Sequence, residues 1–231
     1  MTAFVYSPPW FHGIDTILEL FAGMVAIITA LVGYKAYGLT HERKFFWFGT
    51  AFGFITLSFL ARALTTLFIS YKIETITSRS LLSSLADIGQ VFVAGRFAYV
   101  LLVLSAYLVL FLLSTKQKDK LTIALLCVFV ILFSAFSYAS SMAFYLAALA
   151  LLVFITANHL ANYQKRRSQI TLGILLAFTF MIVEYLFFIA ALKIGQLTVG
   201  AYLSRLLGYA TLLMSIVSLG KTKIKNEKKQ D

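Results

Sequence analysis

Residues 81–114 read LLSSLADIGQVFVAGRFAYVLLVLSAYLVLFLLS. As a helix this stretch is long enough to cross the ~30 Å hydrocarbon layer of a bilayer, yet it carries Asp87 and Arg96 together with Tyr99, Ser105 and Tyr107. An ionised side chain at the centre of such a helix costs roughly 2.5–3.5 kcal/mol, so it faces a bundle interior or a partner. Counterparts occur in other apolar segments: Arg62 and Arg205 in two of them, and Asp15, Glu19 and Glu184 in two more. Asp87 and Arg96 lie about half a turn out of phase at 3.6 residues per turn, so they do not pair within one straight helix.

Composition agrees with a membrane reading. Of 231 residues, 61% are hydrophobic and 13% charged, and the mean hydropathy is +0.89. That lies outside the range of soluble domains and describes an all-α integral membrane protein. The net charge of +11 belongs to the loops and segment ends, where each Lys or Arg attracts anionic lipid headgroups by about 1 kcal/mol. No soluble basic module is present to hold nucleic acid. Cys127 is the only cysteine, which excludes an intrachain disulfide and a multi-thiolate metal site.

The length needed for a crossing divides the chain into seven segments, residues 14–37, 45–71, 85–114, 121–136, 138–163, 170–192 and 197–220. Between the fourth and fifth, residues 137–141 offer a tight polar turn without Gly or Pro. The expected organisation is a short exterior segment at 1–13, a seven-helix domain at 14–220 and a basic tail at 221–231. Residues 1–13 hold no Lys or Arg and no small-residue cleavage pattern, so the first span is expected to be retained. Trp10 and Phe11, after Pro8 and Pro9, are expected to anchor at the membrane interface.

Positive charge sets the orientation. Lys35, Arg43 and Lys44 follow the first span, Lys116, Lys118 and Lys120 the third, Lys165, Arg166 and Arg167 the fifth, and the lysine-rich tail the last. The opposite side holds only Lys72, Arg79 and Lys193. With seven crossings the N-terminus is therefore expected outside and the C-terminus in the cytoplasm, in the plasma membrane.

Glu19, Arg62, Arg96, Glu184 and Arg205 all fall in the outer half of their spans when counted at about 1.5 Å per residue. Helical spacing puts Glu19 in line with Asp15, Gly23, Ala26, Ala30 and Gly33, a small-residue stripe that lets another helix approach. Arg96 shares a face with Tyr99 and Tyr107, Arg62 with Ser58, Thr65 and Thr66, and Arg205 with Tyr202 and Tyr209. The candidate ligand-binding set is thus Glu19, Arg62, Arg96, Tyr99, Glu184, Tyr202, Arg205 and Tyr209, converging on an outer polar pocket. The competing reading makes the same groups interhelical ion pairs that fix helix register, with shallow arginines reaching the headgroups. The Gly49 and Gly53 pair and the Gly200, Ser204, Gly208 series are expected to pack helices closely within the bundle.

No catalytic constellation is present. His-Glu-x-x-His, the paired acids of an intramembrane protease, a phosphate-cradling glycine loop and a nucleophile elbow are all missing from the sequence. His12, His41 and His159 do not form a matched pair for a b-type haem, and the last span has no lysine for a retinal Schiff base. No cofactor, no metal and no enzymatic activity are expected.

There is an internal echo. Gly95-Arg96-Phe97-Ala98-Tyr99 in the third span matches Ser204-Arg205-Leu206-Leu207-Gly208-Tyr209 in the last, and Tyr34-Lys35-Ala36-Tyr37 matches Ala161-Asn162-Tyr163-Gln164-Lys165. Two parallel three-helix halves around a fourth helix would place both pairs equivalently.

The run Tyr34-Lys35-Ala36-Tyr37-Gly38-Leu39-Thr40, with the Phe- and Gly-rich start of the second span and Ser58-Phe59-Leu60-Ala61-Arg62-Ala63, resembles uncharacterised small multi-pass membrane proteins of archaea. That resemblance covers the first two spans and implies a seven-helix membrane fold; it carries no activity or site residues. The expected function is non-enzymatic: an outward-facing binding or sensor protein, or a subunit of a larger membrane complex. Its partners would be membrane lipids and a protein docking in the membrane or on the cytoplasmic basic loops. The alternative is a small-solute transporter built from parallel three-helix repeats around helix four.

Overall fold

The computed structural model describes residues 11, 13–74, 81–115, 117, 119–137 and 140–227; the side chains of 70, 73, 74, 81–87, 166, 170 and 219–227 stand outside that description. Expectations for Trp10, His12, Arg79 and the Asp87 side chain therefore lie outside the described residues. Seven helices follow one another: α1 (Ile14–Thr40), α2 (Arg43–Glu74), α3 (Leu81–Thr115), α4 (Lys120–Phe136), α5 (Ser141–Arg166), α6 (Gln169–Ala191) and α7 (Leu197–Glu227). No strand occurs among the described residues. All but α4 are long and apolar enough to cross a membrane. At 17 residues, α4 reaches about 25 Å at 1.5 Å per residue.

Six of the helices close into a ring. α1 packs on α2, α2 on α3, α3 on α5, α5 on α6, α6 on α7, and α7 returns to α1, while α4 lies outside against α3 and α5. Two side-chain contacts fix how the chain reverses here. Arg96 of α3 bonds Ser137 and Ser141 at the α4–α5 junction, and Ser114 near the end of α3 accepts from Asn158 late in α5 at 3.4 Å. α4 therefore runs back along α3, and α5 turns again beside it. We call the end where α1 begins the near end, and the other the far end.

The first helix shows why the sequence packs this way. Glu19, Ala22, Gly23, Val25, Ala26, Thr29, Ala30 and Gly33 form its buried face, the stripe of small residues that spacing alone indicated. In a membrane, helices gain little from apolar burial against lipid, so close backbone approach through small residues carries the packing. A Cβ placed on Gly33 would lie 2.9 Å from the backbone of Gly49, and one on Gly49 would lie 3.0 Å from the Ala30 carbonyl. A Cβ on Gly208 would meet the Ala177 carbonyl at 3.2 Å, so α7 touches α6 as α2 touches α1.

The far-end caps repeat. His41 ends α1 and Arg167 ends α5, both left-handed at φ 53° and 44°, and their N–H groups donate to Tyr37 and Tyr163 at 2.7 Å each. The Tyr-Lys echo in the sequence is thus one capping turn used twice, and α2 and α6 each begin two residues after it. At the start of α4, the Asp119 carboxylate accepts from the Thr122 hydroxyl and, at 2.9 Å, from its amide; these bonds hold that carboxyl below its ordinary pKa.

Two expectations are revised. Phe11 is not an interfacial anchor but is buried, 5.5 Å from the Tyr202 ring and packed with Phe188 and Ala201. The turn at Gly13, with φ +93°, lets the chain fold back over the near end. The fifth helix begins at Ser141 rather than 138. Outside the ring the helices present apolar side chains, including Ile17, Leu31, Leu64, Leu125, Phe154 and Met214, each more than half exposed. Such a surface suits acyl chains and not water.

Candidate functional site

Five of the eight candidate residues meet in one network inside the ring. Arg205 of α7 donates to Glu184 Oε1 of α6 through Nε at 2.8 Å and Nη2 at 2.6 Å. Its Nη1 lies 3.5 Å from Glu19 Oε1 of α1. Glu19 in turn holds Arg62 Nε of α2 at 3.0 Å and accepts from the Tyr202 hydroxyl at 3.1 Å, while Arg62 Nη2 donates to that same hydroxyl at 2.8 Å. Two cations and two anions balance. Arg205 is only 2% exposed, and Phe59, Phe188 and Tyr202 surround its guanidinium at 5.1–5.5 Å.

These groups share a depth. Glu19 lies five residues into α1 and Arg205 eight into α7, while Glu184 stands seven before the end of α6. The pairing was recoverable from the sequence. Glu184 and Arg205 are nearly equidistant from the α6–α7 turn, as Glu19 and Arg62 are from the α1–α2 turn. Residues equidistant from an antiparallel hairpin turn lie level with one another, a signal that reading each helix face separately overlooks.

The other candidates separate. Tyr99 lies under Arg62, whose guanidinium carbon is 5.3 Å from its ring. Tyr209 is buried deeper, edge-on to Phe59 at 5.9 Å. Arg96 stands apart from the network, with Nη2 donating to Ser141 Oγ at 2.7 Å and Nε to the Ser137 carbonyl at 3.2 Å. Among the described residues no carboxylate pairs with it.

Above the network, at the near end, lies a cavity of about 320 Å³. All six ring helices line it, and α4 does not. Its charged groups are Arg62, Arg96 and Asp15, its hydroxyls include Thr65, Thr66, Ser141 and Thr198, and its rings include Phe92, Tyr99, Phe144, Tyr145, Tyr185, Phe188 and Tyr202. Arg205, Glu19, Glu184 and Tyr209 are not among its lining residues; they lie beneath or beside it. The Arg62 side chain is 34% exposed, on the wall of this cavity. Asp15 accepts from the amides of Gly13 and Thr16 at 2.9 Å, which ties it to the start of α1.

Gly95 brings α3 against α2 at this wall: a Cβ there would fall 2.0 Å from Thr65 Oγ1. Sequence reasoning missed the α5 and α6 walls, Phe144, Tyr145 and Tyr185, because α5 carries no charged residue in its near half. Tyr185 makes a hydroxyl contact of 3.2 Å with Tyr107. Toward the far end the interior is closed by fully buried apolar side chains, among them Val25, Phe52, Leu104, Leu152 and Ile155.

Apolar walls with a few convergent polar groups, in a volume near the lower end of the roughly 300–1,000 Å³ of small-molecule sites, are the features of a ligand pocket. Among the described residues no group of His, Cys, Asp or Glu is placed to hold a metal. No protein-family model matches the chain, and no curated protein or solved structure matches it.

Proposed function

We propose that this is a non-enzymatic plasma-membrane protein whose ring takes up a small ligand from outside the cell, as a binding or sensor protein. The observation that carries this reading is the near-end cavity: every ring helix contributes to it, and a charge-balanced network closes its floor. If α4 also crosses, the chain makes seven passes. Among the described residues the far-end positions then include Arg43, Lys44, Lys120, Lys165 and Arg167, against Lys72 and Lys193 at the near end, so the charge rule supports the near end and the N-terminus outside. On the same footing we group the chain with the small archaeal seven-helix proteins that its first two spans resemble, a grouping that brings no activity with it.

A ligand touching all six ring helices has leverage on their arrangement, which suits signal reception through a cytoplasmic partner on the basic far-end loops. Native mass spectrometry of the protein from mild detergent tests the binding. A small-molecule adduct is expected on the wild type and lost in Thr198→Trp, which fills the cavity. The absence of any adduct difference between the two counts against the proposal.

A second reading, transport by parallel three-helix repeats, draws on a specific observation. α1–α2–α3 and α5–α6–α7 have matching neighbours around the ring, with the same far-end caps and α4 outside. The packed far half argues against it in this conformation, because a transporter needs a route to both sides.

A further inference from the structure

We infer that Arg96 is the anion contact of the near-end site, recognising a carboxylate or phosphate group; this rests on the cavity being a binding site. Of the three arginines set within the ring helices, Arg62 and Arg205 have their charge matched by Glu19 and Glu184. Among the described residues Arg96 has only neutral acceptors, the Ser137 carbonyl and the Ser141 hydroxyl. A guanidinium offers five N–H donors in a planar fork, and its Nη1 has no bond among the described residues. A charge set within a membrane helix without a counter-ion favours an anion that brings one, and the fork matches a carboxylate or phosphate in two-point contact.

Position sharpens the chemistry. Arg96 lines the ring cavity on one side and, on the other, a second cavity of about 640 Å³ between α3 and α4 bordered by Gly89, Val93, Phe97 and Ser134. An anion therefore reaches the same guanidinium by two routes. A soluble ligand enters through the ring, where Tyr99, Phe144 and Tyr185 receive an aromatic or apolar body; an anionic lipid enters from the bilayer along α3 and α4.

The test uses the full chain in mild detergent for benzoate and its uncharged counterpart benzamide, followed by thermal unfolding. The full chain in nanodiscs, with native mass spectrometry, compares retention of phosphatidylglycerol with phosphatidylcholine. One anionic probe is expected to be preferred over its uncharged or zwitterionic counterpart, benzoate marking the soluble source and phosphatidylglycerol the lipid. Arg96→Gln is expected to weaken that preference roughly ten-fold or more, the loss of one charge-assisted contact. Lys193→Gln, which removes an exposed near-end charge that lines neither cavity, keeps it. If Arg96→Gln does not fold, Arg96→Lys retains charge without the fork and must weaken the preference too.

Equal binding of benzoate and benzamide, lost in Thr198→Trp, with no lipid preference, overturns the role of Arg96 and leaves the cavity a binding site. A preference that survives Arg96→Gln overturns it as well. No binding of any probe, and no adduct on the wild type, overturns both.

Discussion

Arg205 holds its place through two carboxylates on two different helices, and this is where a single substitution is most costly. Removing one partner of a buried, hydrogen-bonded ion pair strands the other charge, at about 3–5 kcal/mol. Arg205→Met is therefore expected to lower unfolding stability in detergent by that amount, since Glu184 loses its buried cation while Glu19 keeps Arg62. Glu19→Gln is expected to cost clearly less, because Arg205 keeps both contacts to Glu184 and the Arg62 side chain is one-third exposed. Equal losses in denaturant-unfolding midpoints would contradict this division. The sequence showed these residues and their depth, since charges stand out in apolar runs. It hid their roles, because a helix face does not reveal which neighbour it meets: the set divides into a closed network of Glu19, Arg62, Tyr202, Glu184 and Arg205, and an Arg96 that stands outside it.

Among the elements, the hairpins carry the assembly and α4 is an accessory. α1 and α2 meet where Gly33 faces Gly49, leaving no room for a side chain. Gly33→Ala is expected to destabilise by about 1–3 kcal/mol, the usual cost of overpacking, and Gly38→Ala, with nothing within 4 Å of the added carbon, to be neutral or slightly stabilising. Thermal unfolding of the two variants side by side checks this; a neutral Gly33→Ala would mean the helices do not approach so closely. Boundaries were legible where polar residues interrupt apolar runs, as at residues 137–141 between α4 and α5. Phe11 was not, because an aromatic residue beside a span reads alike whether it faces lipid or folds inward at a glycine turn. Membership of the ring was also hidden: nothing local to α4 says that α3 will pass it over and pack on α5.

For the whole molecule, the ring is polar and hollow at one end and apolar and packed at the other. That asymmetry suits reception better than passage. A ligand in the proposed near-end site would contact every ring helix at once, while fully buried Thr29, Phe52 and Leu152 pack the interior toward the far end. The most direct measurement is labelling of single cysteines in a Cys127→Ala background with a membrane-impermeant thiol reagent on intact cells. Thr66→Cys, at the cavity wall, is predicted to react from outside, and Thr29→Cys, in the packed interior, to stay unreactive from outside and in inside-out vesicles. Reaction of Thr66→Cys only in inside-out vesicles, or of Thr29→Cys from either side, would contradict an outward-opening, closed-floored binding site.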